Sequence, residues 1–225
     1  DAYDASLTRS AAHIIGATVA IGGAAVGNYA LFAGGTVYSQ INKDNVTSDV
    51  LATILTHLHD STFVDVARAN VKGASAGNYA LFAGGRAGSF CTTVDAYNAS
   101  LTRTTATALS STKNNSAAAT VGNHAIFVGN TASADIYDAS LTKTSAAILS
   151  TARTGLAATT VGDYAIFSGG GVADFCDASL TRSSIGTSMT GYDMGAATIG
   201  DYALFAGGIP VKDDTAYDSV EVYTA

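Results

Sequence analysis

The sequence predicts an all-β protein built from five copies of one four-stranded unit. The nine residues Gly-Asn-Tyr-Ala-Leu-Phe-Ala-Gly-Gly at 27–35 recur in modified form at 77–85, 122–130, 162–170 and 200–208. Repetition on this scale is typical of solenoids, propellers and arrays. The composition agrees, because 24 Gly, one Pro and no Trp among 225 residues favour close backbone approaches over large side chains.

Each copy contains four strand-like segments, which are clearest in the fourth copy. The four segments of this copy are 156–161, 164–168, 174–177 and 180–189. The pair Gly162-Asp163 separates the first two, and the glycines at 169–171 follow the second. The Gly-Asp and Gly-Asn pairs favour two-residue hairpin turns, because both residue types tolerate positive φ.

Four short antiparallel strands that repeat every 38 to 50 residues are the pattern of a β-propeller blade. We therefore predict a single domain with five blades, at approximately 16–66, 67–111, 112–151, 152–190 and 191–225 with 1–15. The final segment, 218–223, has no outer strand after it, whereas the chain begins with one. We expect residues 1–15 to complete the last blade and to remove its free edge.

Two further patterns accompany the nine-residue unit. The signature Tyr-Asp-Ala-Ser-Leu-Thr-Arg/Lys occurs at 3–9 and 137–143, with Asn98 in place of Asp at 97–103, and with Cys in place of Tyr at 176–182. The stretch 49–60 lacks it. A cation also lies nine residues before three of the turn glycines, at Arg68, Lys113 and Arg153. These long side chains are expected to hydrogen-bond carbonyls of a neighbouring blade.

The repeat resembles the kelch repeat over essentially the whole chain. The resemblance lies in the order of its parts: a hydrophobic segment, a Gly-Asn or Gly-Asp turn, an aromatic segment ending in Gly-Gly, and then Val-Asp-x-Tyr-Asp. The version here is similar to the Ala-rich kelch-like arrays of bacterial and phage-associated proteins. The resemblance implies a five-bladed kelch-like β-propeller. Kelch blades usually carry Trp in the outer strand, and here Leu101, Leu141 and Leu180 are assigned to that place.

Composition and charge exclude several classes of partner. The net charge is −7, and the 11 Lys and Arg form no basic stripe, which argues against nucleic acid. The apolar runs are shorter than the roughly 20 residues that a membrane-spanning helix needs. The chain starts at Asp1, midway through a repeat, so we expect it to be processed or excised from a longer protein.

Candidate chemistry is sparse, and a structural interpretation is preferred for each group. His57 and His59 would share one face of a strand and could bind a metal beside Asp60, but no third ligand is evident. Cys176 takes the place of Tyr137 and is expected to be a small core residue, and His124 replaces a repeated Tyr. The polar loops at 42–49 and 212–214 could bind calcium, although solvated charge is favoured. We predict no metal and no cofactor.

Sequence variation concentrates in the loops that follow the last residue of each nine-residue unit, and these loops should emerge on one face of the ring. The predicted contact surface comprises 36–47, 86–93 and 209–215. The candidate ligand-binding residues on it are Tyr38, Asn42, Asp44, Arg86, Phe90, Lys212 and Asp213.

The preferred function is a non-enzymatic binding module that presents these loops to a protein or glycan ligand, in an extracellular or virion-associated setting of bacterial or phage origin. Two alternatives stay open. The chain could be a structural subunit of a larger assembly. It could also be an enzyme with an axial site, since the resemblance to kelch-like propellers extends to copper oxidases and lyases.

Overall fold

All regular structure in the described residues is β-strand. The computed structural model describes residues 2–3, 9–10, 18–27, 29–37, 68–113, 116–188, 190–209 and 219–224. These residues contain 21 strands and no helix. The strands form four sheets of four strands, one of three and one of two, with antiparallel pairing throughout. The all-β prediction is therefore confirmed at the level of repeated antiparallel sheets.

The first sheet combines two short N-terminal strands with a long hairpin. Its strands are β1 (Ala2–Tyr3), β2 (Arg9–Ser10), β3 (Thr18–Val26) and β4 (Tyr29–Val37). Their order in the sheet is β2-β1-β4-β3, with Tyr3 opposite Ala30.

The expectation that residues 1–15 complete the last blade is wrong, because β1 and β2 extend the first sheet instead. The sequence offers a physical reason. The N-terminal segment carries the Tyr-Asp-Ala-Ser-Leu-Thr-Arg hairpin signature, whereas 49–60 does not. The predicted outer segment of this repeat, 55–66, lies outside the described residues.

The second sheet carries a small extra hairpin between its second and third strands. In chain order the strands are β5 (Lys72–Ala76), β6 (Tyr79–Ala83), β7 (Arg86–Ala87), β8 (Ser89–Phe90), β9 (Val94–Asn98) and β10 (Arg103–Ala106). The main sheet has the order β10-β9-β6-β5, and β7 and β8 pair with each other. The predicted contact loop 86–93 thus contains regular structure.

The third and fourth sheets are four-stranded meanders whose spatial order follows the chain. The third contains β11 (Ala117–Val121), β12 (His124–Gly129), β13 (Thr131–Tyr137) and β14 (Lys143–Ala147). The fourth contains β15 (Ala157–Val161), β16 (Tyr164–Gly169), β17 (Val172–Asp177) and β18 (Arg182–Gly186). The four strands predicted within 156–189 are all confirmed, with their ends shifted by a few residues.

The last sheet has three described strands, β19 (Gly195–Ile199), β20 (Tyr202–Ala206) and β21 (Val220–Thr224), in that order. Among the described strands β21 pairs with β20 alone. One edge of this sheet therefore has no fourth strand from the described part of the chain.

Each Gly-Asn or Gly-Asp pair whose two residues are described, at 77–78, 122–123, 162–163 and 200–201, forms a two-residue hairpin turn, as predicted. The glycines have positive φ, for example 54° at Gly122 and 51° at Gly162. The following Asn123 and Asp163 do not share it. The requirement for positive φ therefore falls on the glycine, where the absence of Cβ removes the steric penalty.

The repeated leucines lie in loops and not in the outer strands to which they were assigned. Leu101, Leu141 and Leu180 connect the third and fourth strands of their sheets and have φ of 59°, 62° and 62°. That assignment is therefore wrong. Positive φ is unusual for a residue with a branched side chain, so the loop imposes this conformation.

The chain divides into two compact units, Asp1–Gly73 with Asn78–Thr112 and Ala74–Gly77 with Lys113–Ala225. In the first unit, Val26 and Leu31 of the first sheet pack with Phe82 and Tyr97 of the second. The cores of both units therefore form where one sheet face covers the next.

In the second unit the third sheet packs on the fourth, and the fourth on the last. Ile126 and Ile136 of the third sheet pack in one cluster with Phe167 of the fourth sheet. Ile166 of the fourth sheet shares a second cluster with Phe205 of the last.

The first strands of these sheets are linked by threonine hydroxyls. Thr160 donates from Oγ1 to the Thr120 carbonyl, and Thr198 donates to the Thr160 carbonyl over 2.6 Å. Small and hydroxylated residues let these strands approach closely.

Candidate functional site

Of the seven predicted ligand-binding residues, the structure describes two. Arg86 and Phe90 occupy opposite positions in the β7–β8 hairpin. Tyr38, Asn42, Asp44, Lys212 and Asp213 lie outside the described residues. The site can therefore be built only around the hairpin at 84–91.

Arg86 and Phe90 form an exposed pair. The guanidinium carbon of Arg86 lies 5.9 Å from the centroid of the Phe90 ring, within the range of a cation–π interaction. The Phe90 side chain is 39% exposed, and Arg86 is exposed as well. The hairpin thus presents an aromatic surface and a positive charge to solvent at one point.

Local geometry explains the tight turn. Gly88 joins the two strands with φ of 73°, and apart from its chain neighbours no atom of the described residues lies within 4 Å of the place where a Cβ would stand. Its carbonyl accepts a hydrogen bond of 3.0 Å from Nε of Arg86. This bond holds the guanidinium of Arg86 over the hairpin.

The hairpin is anchored by backbone hydrogen bonds to the segment that precedes the second sheet. Arg86 and Ala69 exchange two of them, at 2.8 and 3.0 Å. Within the hairpin, the Cys91 amide donates to the Gly85 carbonyl over 2.8 Å. A side chain at Gly85 would lie 2.7 Å from the Ala69 carbonyl oxygen, so the backbone approaches too closely for any other residue. The pair therefore stands on a constrained platform.

A second constellation, which recurs in three sheets, consists of one buried aspartate between two cations. Asp95, Asp135 and Asp174 occupy equivalent positions on the third strands, and their side chains are at most 2% exposed. Arg68, Lys113 and Arg153 pair with them from the segment before each sheet. Arg103, Lys143 and Arg182 approach from the fourth strands, at 2.9, 3.6 and 3.5 Å.

The first cation of two of the trios, Arg68 and Arg153, also binds carbonyls, as the sequence predicted for this position. The Arg68 guanidinium donates to the carbonyls of Gly84 and Thr93, each over 2.8 Å. These carbonyls belong to the sheet that Arg68 itself leads into, so the expected assignment to a neighbouring blade is wrong. The cation joins the end of the second strand to the start of the third.

Sequence reasoning missed the three aspartates. Their signal was an Asp two residues before the repeated Tyr or Cys, at 95, 135 and 174. A carboxylate flanked by two cations is a satisfied structural group, because its charge is paired and hydrogen-bonded. It offers no free acid or base for catalysis.

The cysteines and the described histidine follow the structural interpretation. Cys176 is fully buried in the core, as expected for a residue in the place of Tyr137, and burial raises the pKa of its thiol to about 11. Cys91 is half-buried, and its Sγ donates to the Ser89 carbonyl over 3.4 Å. His124 begins β12 in the place of the repeated Tyr. His57 and His59 lie outside the described residues.

Within the described part of the chain, no three His, Cys, Asp or Glu side chains come close enough to hold a metal ion. The same residues include no helix long and apolar enough to cross a membrane.

The sequence was also compared with known proteins. No protein-family model matches it, and the search of curated proteins found no match either.

Proposed function

We propose that the five larger sheets are the blades of a five-bladed, kelch-like β-propeller. The support is the pattern that recurs from the second sheet to the last, namely a Gly-Asn or Gly-Asp hairpin between the first two strands and a buried Phe on the second strand, at Phe82, Phe127, Phe167 and Phe205. Successive sheets of the second unit cover one another face to face, which is how propeller blades bury their surfaces.

We further propose that this module is a non-enzymatic binding domain for a protein or glycan ligand. The observation that carries the proposal is the exposed Arg86–Phe90 pair on its anchored hairpin. Arginine and aromatic residues are enriched at binding interfaces, and constrained residues lose little entropy on association. An extracellular or virion-associated location in bacteria or phage belongs to the same proposal.

The buried ionisable groups support a binding role over a catalytic one. In three sheets the repeated Asp and its two cations neutralise each other below the surface. Perturbed, accessible acids or bases are the usual sign of a catalytic site, and these trios are used to hold strands together. The net charge of the chain, −7, argues against nucleic acid as the ligand.

The test is a binding screen of the purified chain against a glycan array and candidate proteins. We expect Arg86→Ala and Phe90→Ala each to weaken the best hit by about 10-fold or more, since interface hot spots cost over 1 kcal/mol on truncation. Tyr164→Ala is the matched control, because it removes another exposed aromatic ring.

Equal binding by all three variants would reject the hairpin as the site. Shortening 36–47 in a separate variant would then ask whether another predicted loop binds the ligand.

A structural role in a larger assembly is the second candidate. The observation that favours it is the exposed apolar face of the last sheet, where Ile199 is 69% exposed. Isolated domains rarely leave contiguous apolar surface open to solvent without a partner. Concentration-dependent self-association of the pure chain would support this role, and a monomer at all concentrations would oppose it.

A further inference from the structure

The β7–β8 hairpin is an addition to the repeated unit. In the third sheet Asn130 alone connects the second strand to the third, and in the fourth sheet the connection is Gly170-Gly171. The second sheet has residues 84–93 at this place, and none of residues 86–93 is buried. Because the third and fourth sheets form without such a hairpin, its side chains are available for contact with a ligand.

Arg86 differs from the other arginines whose side chains are described. Arg68, Arg103, Arg153 and Arg182 each pair with a buried aspartate. Within the described residues the exposed guanidinium of Arg86 contacts the Gly88 carbonyl, through Nε, and the Phe90 ring, but no carboxylate. Its two terminal nitrogens can donate in parallel to the two oxygens of one anionic group. We therefore look for that anion in a ligand.

The charge of the whole chain limits the kind of anion. With a net charge of −7, the chain repels polyanions, which need many basic contacts to bind. A single guanidinium matches a single carboxylate, since both groups are planar and form paired hydrogen bonds. A ligand with isolated carboxylates is therefore favoured over a nucleic acid or a heavily sulfated polymer.

Phe90 selects among ligands that carry a carboxylate. Its ring is 39% exposed, and the guanidinium carbon of Arg86 lies 5.9 Å from the ring centroid. A sugar acid holds its carboxylate directly on a rigid ring that also has an apolar face of C–H groups, so one sugar can contact both side chains. An acidic peptide side chain is flexible and loses more entropy when it is ordered. A stable protein interface also needs about 1,200 Å² or more of buried surface, which one short hairpin does not supply.

We propose that the β7–β8 hairpin binds a glycan through a carboxylated sugar. The inference rests on the binding role proposed above and names the chemical class of the ligand. Arg86 donates from its terminal nitrogens to the sugar carboxylate, and the C–H face of the same sugar packs on the exposed part of the Phe90 ring. The two backbone hydrogen bonds between Arg86 and Ala69 hold the hairpin in place, so little entropy is lost on binding.

The test measures binding of the full chain to oligosaccharides that end in glucuronate, galacturonate or sialate, by calorimetry. Each is used as the free acid and as its methyl ester, which keeps the sugar ring and removes the charge. We expect at least one free acid to bind roughly 10-fold or more tightly than its ester, since a hydrogen bond to a charged group is lost. Oligosaccharides that end in a sugar phosphate or sulfate test whether another anion serves as well.

Substitutions in the hairpin separate its two contacts. Arg86→Gln should bind the acid and the ester equally, and Arg86→Lys, which keeps the charge but not the paired donors, should lie between Arg86→Gln and the wild type. Phe90→Leu keeps an apolar side chain without the flat ring and should weaken acid and ester by a similar factor. Ser89→Ala is the matched control, because this exposed residue alternates with Phe90 and lies on the other side of the hairpin. Circular dichroism and thermal melting establish that each variant folds.

Selectivity for the acid that Arg86→Gln abolishes would support the inference. Equal binding of acid and ester by the wild type, weakened by Arg86→Gln and Phe90→Leu, would overturn it and leave the binding role of the hairpin intact. Selectivity that persists in Arg86→Gln would also overturn it, because another cation would then hold the carboxylate. So would a phosphate or sulfate that binds as tightly as the acid. A wild type that binds none of the acids would overturn the inference, and the screen of glycans and proteins described above would then decide the binding role separately.

Discussion

At the scale of single residues, the repeated charges of this chain hold strands together. Each buried Asp of the second, third and fourth sheets accepts contacts from two cations that lie far apart in sequence. The cations could be recognised from their spacing, but the carboxylate could not be assigned to them. That pairing depends on how the segment before the sheet folds against it, which brings Arg68 beside Asp95.

Removing one buried carboxylate should be strongly destabilising. Asp135→Asn removes the carboxylate charge that pairs with the buried ammonium group of Lys113 and the half-buried one of Lys143. We expect a loss of about 3–5 kcal/mol in the free energy of unfolding, measured by urea denaturation. Asp163→Asn, in an exposed turn, should change it by less than about 0.5 kcal/mol. Equal effects of the two substitutions would contradict a structural role for the trio.

Leu141, unlike the stabilising aspartates, has a backbone conformation that is unfavourable for a residue with a side chain. Its φ of 62° lies in the left-handed region, where a residue with Cβ costs about 1–2 kcal/mol and glycine does not. We expect Leu141→Gly to be about 1 kcal/mol more stable than Leu141→Ala in urea denaturation. The Ala variant controls for lost packing, because both substitutions remove the leucine side chain. An Ala variant as stable as the Gly variant would show that the loop carries no such strain.

At the scale of elements, the loop between the third and fourth strands is the best-defined hairpin in the repeat. Oδ1 of Asp138 accepts hydrogen bonds from the amides of Ser140 and Thr142, at 2.8 and 2.9 Å. Asn98 and Asp177 do the same in their sheets. The sequence signature thus encodes a side chain that closes its own loop, which explains why it recurs.

This loop makes stability depend on pH in a predictable direction. Hydrogen bonds from the Ser140 hydroxyl and the Thr142 amide lower the pKa of Asp138 below its ordinary value of 3.8. The carboxylate therefore stabilises the fold above that value, and the contribution is lost as the pH falls through the lower, folded-state pKa. We expect the wild type to be more stable than Asp138→Asn at neutral pH, with the difference shrinking below about pH 4. Thermal melting of both proteins from pH 7 to pH 2.5 checks this. A difference that stays constant across this range would exclude the charge as its cause.

Element prediction was most accurate where a short motif determines local geometry. The Gly-Asp turn and the strands on either side of it were placed correctly in the fourth sheet. The repeated leucines were misplaced because an apolar residue after a turn suggests a strand, while here the capped loop extends through Leu180. The β7–β8 hairpin was treated as a loop, because two-residue strands leave almost no periodic signal.

At the scale of the whole molecule, contacts between successive sheets constrain the turn glycines unequally. Gly77 and Gly200 have the same backbone conformation, with φ of 52° and 55°. Of these two glycines, only Gly77 lies against an alanine of the following sheet within the described residues.

Alanine at these two glycines should separate backbone strain from packing. Gly200→Ala should cost about 1–2 kcal/mol, the left-handed penalty alone. Gly77→Ala adds a clash 2.5 Å from Cβ of Ala139 and should cost clearly more in the same urea denaturation. Equal losses would show that the sheets adjust without resistance.

The sequence by itself determined the repeat, the all-β class, the positions of the Gly-Asn and Gly-Asp hairpins and the burial of Cys176. These properties depend on residues within one hairpin or on side-chain alternation, which sequence periodicity displays directly. Tertiary structure decided that β1 and β2 join the first sheet, that Arg68 meets Asp95, and that the last sheet keeps an exposed apolar face. The five copies are similar enough that any of several strands could pair with a given edge. Only the register and packing of the folded chain select among them.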